Sequence, residues 1–334
     1  MKKKILLVGG SGFIGHNLAL VLKERGHEPY VVDSLSVNNL LSISDTEIKN
    51  KDLYSKILNN RIELLNNNNI FFKKIDARDN DLIKKVYSEI NPDIIIHLAA
   101  VSHANKSNKF PHTTFDNSLR TLENTLDFAK NNQTHVIYLS SSMVYGEFNG
   151  KSVDEESICN PIGIYGTLKY AGELIVKSYN QVFQMPYTII RPSALYGERC
   201  VSRRVGQIFI ENSLQGLEIE INGSGEDKLD FTYIKDFVQG IVLCCENKNS
   251  INQIFNLTFG MGRKINELVS VLKNEFPETI IKYKNKEKFM PERGTLKIEK
   301  AKNLLGYKPQ FKIEKGYIKY IAWYKNFWKK LKKK

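Results

Sequence analysis

The sequence predicts an α/β protein: a doubly wound parallel sheet followed by a smaller C-terminal α/β lobe. Three observations predict it. Short apolar runs alternate with amphipathic helical patterns as far as residue 193, the order that builds a parallel sheet with right-handed crossovers. The first apolar run, 5–8, leads directly into glycines at 9, 12 and 15 and then into a helical pattern. Beyond 193 the alternation loosens into helices with only two short strands.

The elements follow in order. ILLV at 5–8 reads as a buried strand, and Phe13, Ile14, Leu18, Val21 and Leu22 fall on one face of the helix after the glycines. Strand, glycine turn and helix in this sequence form the dinucleotide fingerprint of a Rossmann fold. Gly9 allows the tight turn, Gly12 lets the backbone approach a pyrophosphate, and Gly15 permits close packing of the helix. The helix N-terminus adds free N–H groups and a positive dipole end. Gly9, Gly12, Phe13, Ile14 and Gly15 are therefore the expected phosphate-side contacts. A second strand over 29–32 ends at Asp33. A carboxylate there binds the adenosine ribose and repels a 2′-phosphate, which predicts NAD rather than NADP.

Residues 34–70 form a long polar connection with a helical pattern over about 49–65, closed by the asparagine run 66–69. A third strand is expected over 71–75, with Asp76 and Ala77 beyond it placed against the adenine. A helix at 80–90 leads to a strand at 94–100, whose small residues Ala99 and Ala100, with Leu98, suit a flat cofactor lying on the backbone. Leu119, Leu122, Leu126 and Ala129 share one face of a helix over 114–131, which also carries Asn117, counted among the cofactor contacts. A strand at 135–142, a helix at 165–183 and a strand at 187–193 follow. Further helices are expected near 203–215, 235–246, 264–275, 297–305 and 315–328, with strands near 218–221 and 253–257. The expected division is a cofactor domain over 1–192 and a substrate lobe over 193–334, with a soft boundary and interleaved segments, the lobe covering the sheet edge where open α/β sheets bind ligands.

Composition narrows the class. The 334 residues are 42% apolar and 25% charged, enough for one large or two modest domains. There is no run of 18 apolar residues, so no transmembrane helix is expected. The N-terminal MKKKILLVGG opens like a secretion signal, but its apolar run stops after four residues and is read as a strand. The four cysteines lack metal-ligand spacing, so no metal site is expected and they read as reduced thiols of a cytoplasmic protein. The net charge of +13 has no nucleic-acid-binding module to go with it. It is read as a lysine-coated surface that also favours arrival of a phosphate-bearing substrate. Trp323, Phe327, Trp328 and Leu331 fall on one helix face before lysines 332–334, read as a last helix docked on the core with a frayed basic tail rather than a membrane-surface contact.

The chemistry is carried by Tyr165 and Lys169, four apart on a helix and so on one face. An ammonium beside a phenol favours the phenolate, which can remove a proton from a substrate alcohol as its hydride leaves for the nicotinamide. Ser141, at the end of the preceding strand, is expected to hydrogen-bond the same oxygen.

With these residues in view the chain resembles the extended short-chain dehydrogenase/reductase family, the nucleotide-sugar epimerases and dehydratases. The resemblance rests on GGSGFIG (9–15), HLAA (97–100), SSSMVYG (140–146), YGTLK (165–169), RPSALYG (191–197), LDFTYIKD (229–236) and LLGYKP (304–309), and covers essentially the whole chain. It implies bound NAD, a nucleoside-diphosphate sugar in the cleft, and a homodimer formed through the helices at about 114–131 and 165–183. The 4,6-dehydratases of the family carry an Asp–Glu pair where this chain has Ser142 and Met143, and the fucose-synthase type uses a cysteine at Met143. Small or apolar residues there imply a 4-epimerase, here expected to serve surface-polysaccharide synthesis. Ser102, Ser142, Met143, Lys228 and Arg293 are the implied substrate contacts. Two positions depart from the family. Ala194 stands where a substrate-contacting asparagine is usual, and Leu229 where an arginine clamps the diphosphate. Either Lys228, as a point charge, or the loop 199–204, with Arg199, Arg203 and Arg204, is the expected replacement. Two rival readings stand beside the epimerase: a dehydrogenase or 4-ketoreductase that exchanges cofactor each cycle, and a non-catalytic nucleotide-sugar or NAD binder.

Overall fold

The computed structural model describes residues 1–44, 49–102, 104–285 and 291–332. Strands β1 (Lys4–Val8), β2 (Glu28–Asp33), β3 (Phe71–Lys74), β4 (Ile94–His97), β5 (His135–Leu139) and β6 (Tyr187–Arg191) join the strand Gln253–Asn256 in one seven-stranded sheet. From one edge the order is Gln253–Asn256, β6, β5, β4, β1, β2, β3, every pair parallel. The chain winds outward from β1 through β2 to β3, then returns to β4 and winds the other way. The crevice beyond the carboxyl ends of β1 and β4 is thus the switch point at which such sheets take ligands.

Both faces are covered, which is why β1 and β4 read as unbroken apolar runs. On one face the helix α1 (Phe13–Glu24) buries Leu18, Ala19 and Leu22, and the helix Ile234–Glu246 lies alongside it. On the other, the helix Asn80–Ile90 buries Ile83, Val86 and Tyr87, and the helix Thr121–Asn132 buries Leu122, Leu126 and Ala129.

Several sequence expectations are adjusted. The strands expected over 94–100 and 135–142 end at His97 and Leu139, so Leu98–Ala100 and Ser140–Ser142 leave the sheet and form the rim of the crevice. The helix expected over 114–131 is three segments: Pro111–Phe115, a π-helical turn Asp116–Arg120, and Thr121–Asn132. Side chains compete for its backbone carbonyls there: Asn117 Nδ2 donates to Thr113 O at 2.7 Å and Thr121 Oγ1 to Asn117 O at 3.0 Å. The strand expected near 253–257 completes the large sheet beside β6, so the sheet draws on residues beyond 192.

The rest of the C-terminal part packs over the sheet's carboxyl edge. A two-stranded parallel pair, Ile219–Asn222 with Ile281–Lys284, is flanked by the helices Val205–Leu214, Ile265–Glu275 and Ile313–Lys332. Trp323, Phe327, Trp328 and Leu331 pack against the core; Lys333 and Lys334 lie outside the described residues. Among the described residues no helix is long and apolar enough to cross a membrane.

Candidate active site

A cavity of about 650 Å³ occupies the crevice between the sheet and the smaller lobe. Every residue assigned above to cofactor, chemistry or substrate lines it, from Gly9 and Asp33 at one end to Lys228 and Arg293 at the other. Of the three arginines in the loop 199–204, Arg203 and Arg204 line it. Arg199 turns away, donating from Nε to Asn60 Oδ1 at 2.8 Å.

At the cofactor end the glycines are required sterically. Gly9 sits at φ +79°, and a Cβ there would lie 2.8 Å from Ala99 N. A Cβ on Gly15 would lie 2.4 Å from Gly10 O, so Gly15 lets α1 settle onto the glycine loop itself. Gly12, the N-cap of α1, would place a Cβ no nearer than 3.2 Å to Gly9 O, leaving the amide end of the helix open to the cavity. Asp33 is buried, and accepts from Ser11 N at 3.1 Å and Leu35 N at 2.8 Å. Burial pushes its carboxyl above the usual range, against those two hydrogen bonds. These features fit a dinucleotide: an open helix end for phosphates and a held carboxylate for ribose hydroxyls. Asp76 also lines the cavity, but its carboxylate is engaged by Arg78 from Nη2 at 2.6 Å, and Arg78 pairs with Asp116 as well. Asn117 faces the cavity from the π turn.

Tyr165 and Lys169 project from the helix Gly163–Phe183. That helix packs so closely on β5 that a Cβ on Gly172 would lie 2.2 Å from the Tyr138 hydroxyl. Lys169 is 6% exposed, donates from Nζ to Leu139 O at 2.6 Å, and lies 5.1 Å above the Tyr138 ring. Burial pushes its ammonium down to about 8, opposed by Glu173 one turn further on. Ser141 Oγ accepts from Met143 N at 3.2 Å, which leaves its O–H free to donate into the cavity.

Beneath this pair runs a buried polar network that the sequence reading did not single out. Ser140 Oγ donates to Glu173, which accepts from Arg191 at 2.7 and 2.9 Å. Arg191 also donates to the Tyr145 hydroxyl at 2.9 Å, and that hydroxyl donates to Asn256 Oδ1 at 2.8 Å. The signal available was Glu173 itself, a carboxylate four residues past Lys169 on the inward face of an apolar helix.

At the substrate end, Ser142 and Met143 open a 3₁₀ turn, Ser142–Tyr145. Ala194 holds φ +35°, a conformation an asparagine tolerates better than an alanine. Leu229 lines the cavity beside exposed Lys228. Arg204 donates from Nη2 to Ser102 O at 2.9 Å. Arg293 reaches deep enough that burial, then the neighbouring Arg204, push its guanidinium down to about 10. Arg61 is a second residue the sequence reading missed. It comes from the polar connection, is 1% exposed, lines the cavity, and donates from Nε and Nη2 to Arg199 O at 3.1 and 2.5 Å.

Comparison with known proteins follows the same lines. Residues 5–258 match the model of the "NAD dependent epimerase/dehydratase family". A provisionally named UDP-glucose 4-epimerase of Methanocaldococcus jannaschii is 31% identical over 96% of this chain and 98% of its own length. The crystal structure of a Thermotoga maritima UDP-glucose 4-epimerase with UDP-glucose superposes at a TM-score of 0.85, with 27% identity over 97% of this chain and 99% of that one. A Bacillus cereus UDP-glucuronic acid 4-epimerase, crystallised with UDP-glucuronic acid and NAD, gives a TM-score of 0.83 and 26% identity over 97% and 99% of the two chains.

Proposed function

The chain belongs to the NAD-dependent epimerase/dehydratase family, and from that premise we propose that it inverts C4 of a nucleoside-diphosphate sugar. One observation carries the reading: Tyr165 and Lys169 share a single cavity with the cofactor end at Gly12 and Asp33 and the cationic end at Lys228 and Arg293. The residues at 142 and 143, serine and methionine, offer no carboxylate for eliminating water, which disfavours a 4,6-dehydratase.

NAD, when bound, supplies a reversible hydride acceptor beside C4. The chain's own task is proton handling and orientation. Tyr165 Oη takes the C4 hydroxyl proton during oxidation and returns it during reduction. Lys169, tethered to Leu139 O, places its charge one helical turn from that phenol. The Ser141 hydroxyl hydrogen-bonds the same sugar oxygen. Between the two proton transfers the sugar turns over while its diphosphate stays held, so the hydrogen returns to the opposite face. A dehydrogenase or 4-ketoreductase would use the same groups in one direction only.

We also assign the protein to nucleotide-sugar supply for surface polysaccharides in the cytoplasm, and as a homodimer. The apolar face Leu122, Leu126 and Ala129 is consumed inside the protomer. What supports a dimer instead is the exposed set Phe115, Leu174 and Val182, at 57%, 48% and 70% exposure on the two expected helices.

The test is a panel of UDP-, GDP-, CDP- and dTDP-sugars followed by NMR at C4 and by absorbance at the NADH band. The proposal requires C4 inversion of at least one sugar with no net absorbance change. Stoichiometric absorbance change would make the protein a reductase or dehydrogenase, and no turnover with any sugar would remove the enzymatic reading.

A further inference from the structure

Lys169 is a buried ammonium with no carboxylate of its own. Among the described residues it forms no ion pair: Glu173, one turn further along its helix, is taken by Arg191 and by the Ser140 hydroxyl. The hydrogen bond to Leu139 O, at 2.6 Å, uses one of its three N–H donors. A charge taken out of water this far needs a further partner. The residue before Leu139 supplies one. The Tyr138 ring lies with its centroid 5.1 Å from Lys169 Nζ and presents the ammonium with the negative face of its π system. Burial pushes the Tyr138 phenol well up, so the ring stays neutral.

The ring is fixed from two sides. On the helix side stands Gly172, three residues past Lys169 and so on the same face, where a Cβ would lie 2.2 Å from the Tyr138 hydroxyl. That hydroxyl is 3.5 Å from Lys169 O. On the sheet side His97, the register partner of Tyr138 in β4, stacks on it at 6.2 Å and 30°. His97 is itself held on Thr125 Oγ1 at 3.1 Å. Burial, and then the charge on Lys169, push the His97 imidazolium down to about 3, so it adds no positive charge of its own. The titratable groups facing this stack are therefore Tyr165 and Glu173 from the helix and His97 from β4, with Arg191 on β6 neutralising Glu173.

We propose that Tyr138 is a positioning residue whose ring face keeps the Lys169 ammonium charged and in place one helical turn from Tyr165, and that Gly172 is the residue that admits the ring. Its consequence for turnover rests on the epimerase reading; the contact itself does not.

The Lys169 ammonium is titrated by nitrogen-15 NMR of lysine-labelled, NAD-loaded protein, its signal identified by its absence in Lys169→Arg, and the pH profile of kcat is recorded beside it. Tyr138→Phe keeps the ring face and Tyr138→Leu removes it. Pentafluorophenylalanine at position 138 keeps the ring's shape and reverses its quadrupole. NAD content checks that each variant is folded. Tyr138→Phe is expected to titrate as the wild type. The leucine and fluorinated variants are expected to titrate lower by about half to one and a half pH units, with the fall in kcat moving by the same amount. Should Tyr138→Leu fail to fold, the comparison of phenylalanine with its fluorinated form decides alone. A titration that stays put in the fluorinated variant, or that moves as far in Tyr138→Phe, overturns the proposal. The expected shifts in a protein that inverts no sugar refute the epimerase reading and leave the contact standing.

Discussion

Glu173 and Arg191 form a two-pronged ion pair, 2.9 and 2.7 Å, in which Glu173 is fully buried and Arg191 is 2% exposed. Glu173 stands on the helix of Tyr165 and Lys169, and Arg191 ends β6. The pair therefore fastens that helix to the sheet, and through Tyr145 and Asn256 it reaches the edge strand.

Removing one partner leaves the other charge buried and alone. Arg191→Ala is expected to lower unfolding free energy by about 3–5 kcal/mol. Urea denaturation followed by circular dichroism measures it, and a loss under about 1 kcal/mol would mean the pair is not the fastening described.

Lys169 carries a pH prediction. Its folded ammonium releases its proton at about 8, against 10.5 for a free lysine. Below 8 both states are charged and the folded state bears the whole desolvation penalty. Between 8 and 10.5 the unfolded state holds more protons, so this residue's contribution to stability rises with pH. Activity is expected to move the other way, because in the proposed mechanism the charged form assists the phenol. kcat is expected to fall as the pH rises through about 8, and a profile flat to pH 10 would contradict the role.

Asp33 is held by two backbone N–H groups and the Ser11 side chain, and it lines the cavity. Asp33→Ala is expected to weaken NAD binding about ten- to a hundred-fold and to relax discrimination against NADP. Equilibrium titration with both cofactors decides it; an unchanged NAD/NADP ratio would remove Asp33 from the ribose site.

Arg61 acts at a distance. With Arg61→Met the loop 199–204 loses both bonds to the Arg199 carbonyl. KM for the nucleotide sugar is expected to rise about tenfold with kcat nearly kept, since ground-state and transition-state binding suffer alike. A fall in kcat at constant KM would place Arg61 in the chemical step.

Much of this was legible in the sequence because it is local. A strand covered on both faces reads as an apolar run, Gly9 and Gly15 announce close backbone approach, and Tyr165 with Lys169 declare a shared helix face. The missed features are pairings over long separations. Arg61 meets Arg199, and Glu173 meets Arg191, only after the chain has folded, and a charged residue read alone defaults to solvent. The break at Asp116–Arg120 escaped because helical periodicity survives one inserted residue. The strand Gln253–Asn256 has the composition of an edge strand in either lobe, and only the topology assigns it to the large sheet.

In the proposed mechanism Tyr165 moves the C4 proton inside an NAD-binding cavity. It is tested most directly by Tyr165→Phe, assayed by NMR for C4 inversion on whichever nucleotide sugar the wild type accepts, with NAD content and sugar affinity measured in parallel. Turnover is expected to fall by at least about a hundredfold, the ordinary worth of a positioned acid–base group, with both ligands still bound. Turnover within a few-fold of the wild type would contradict it.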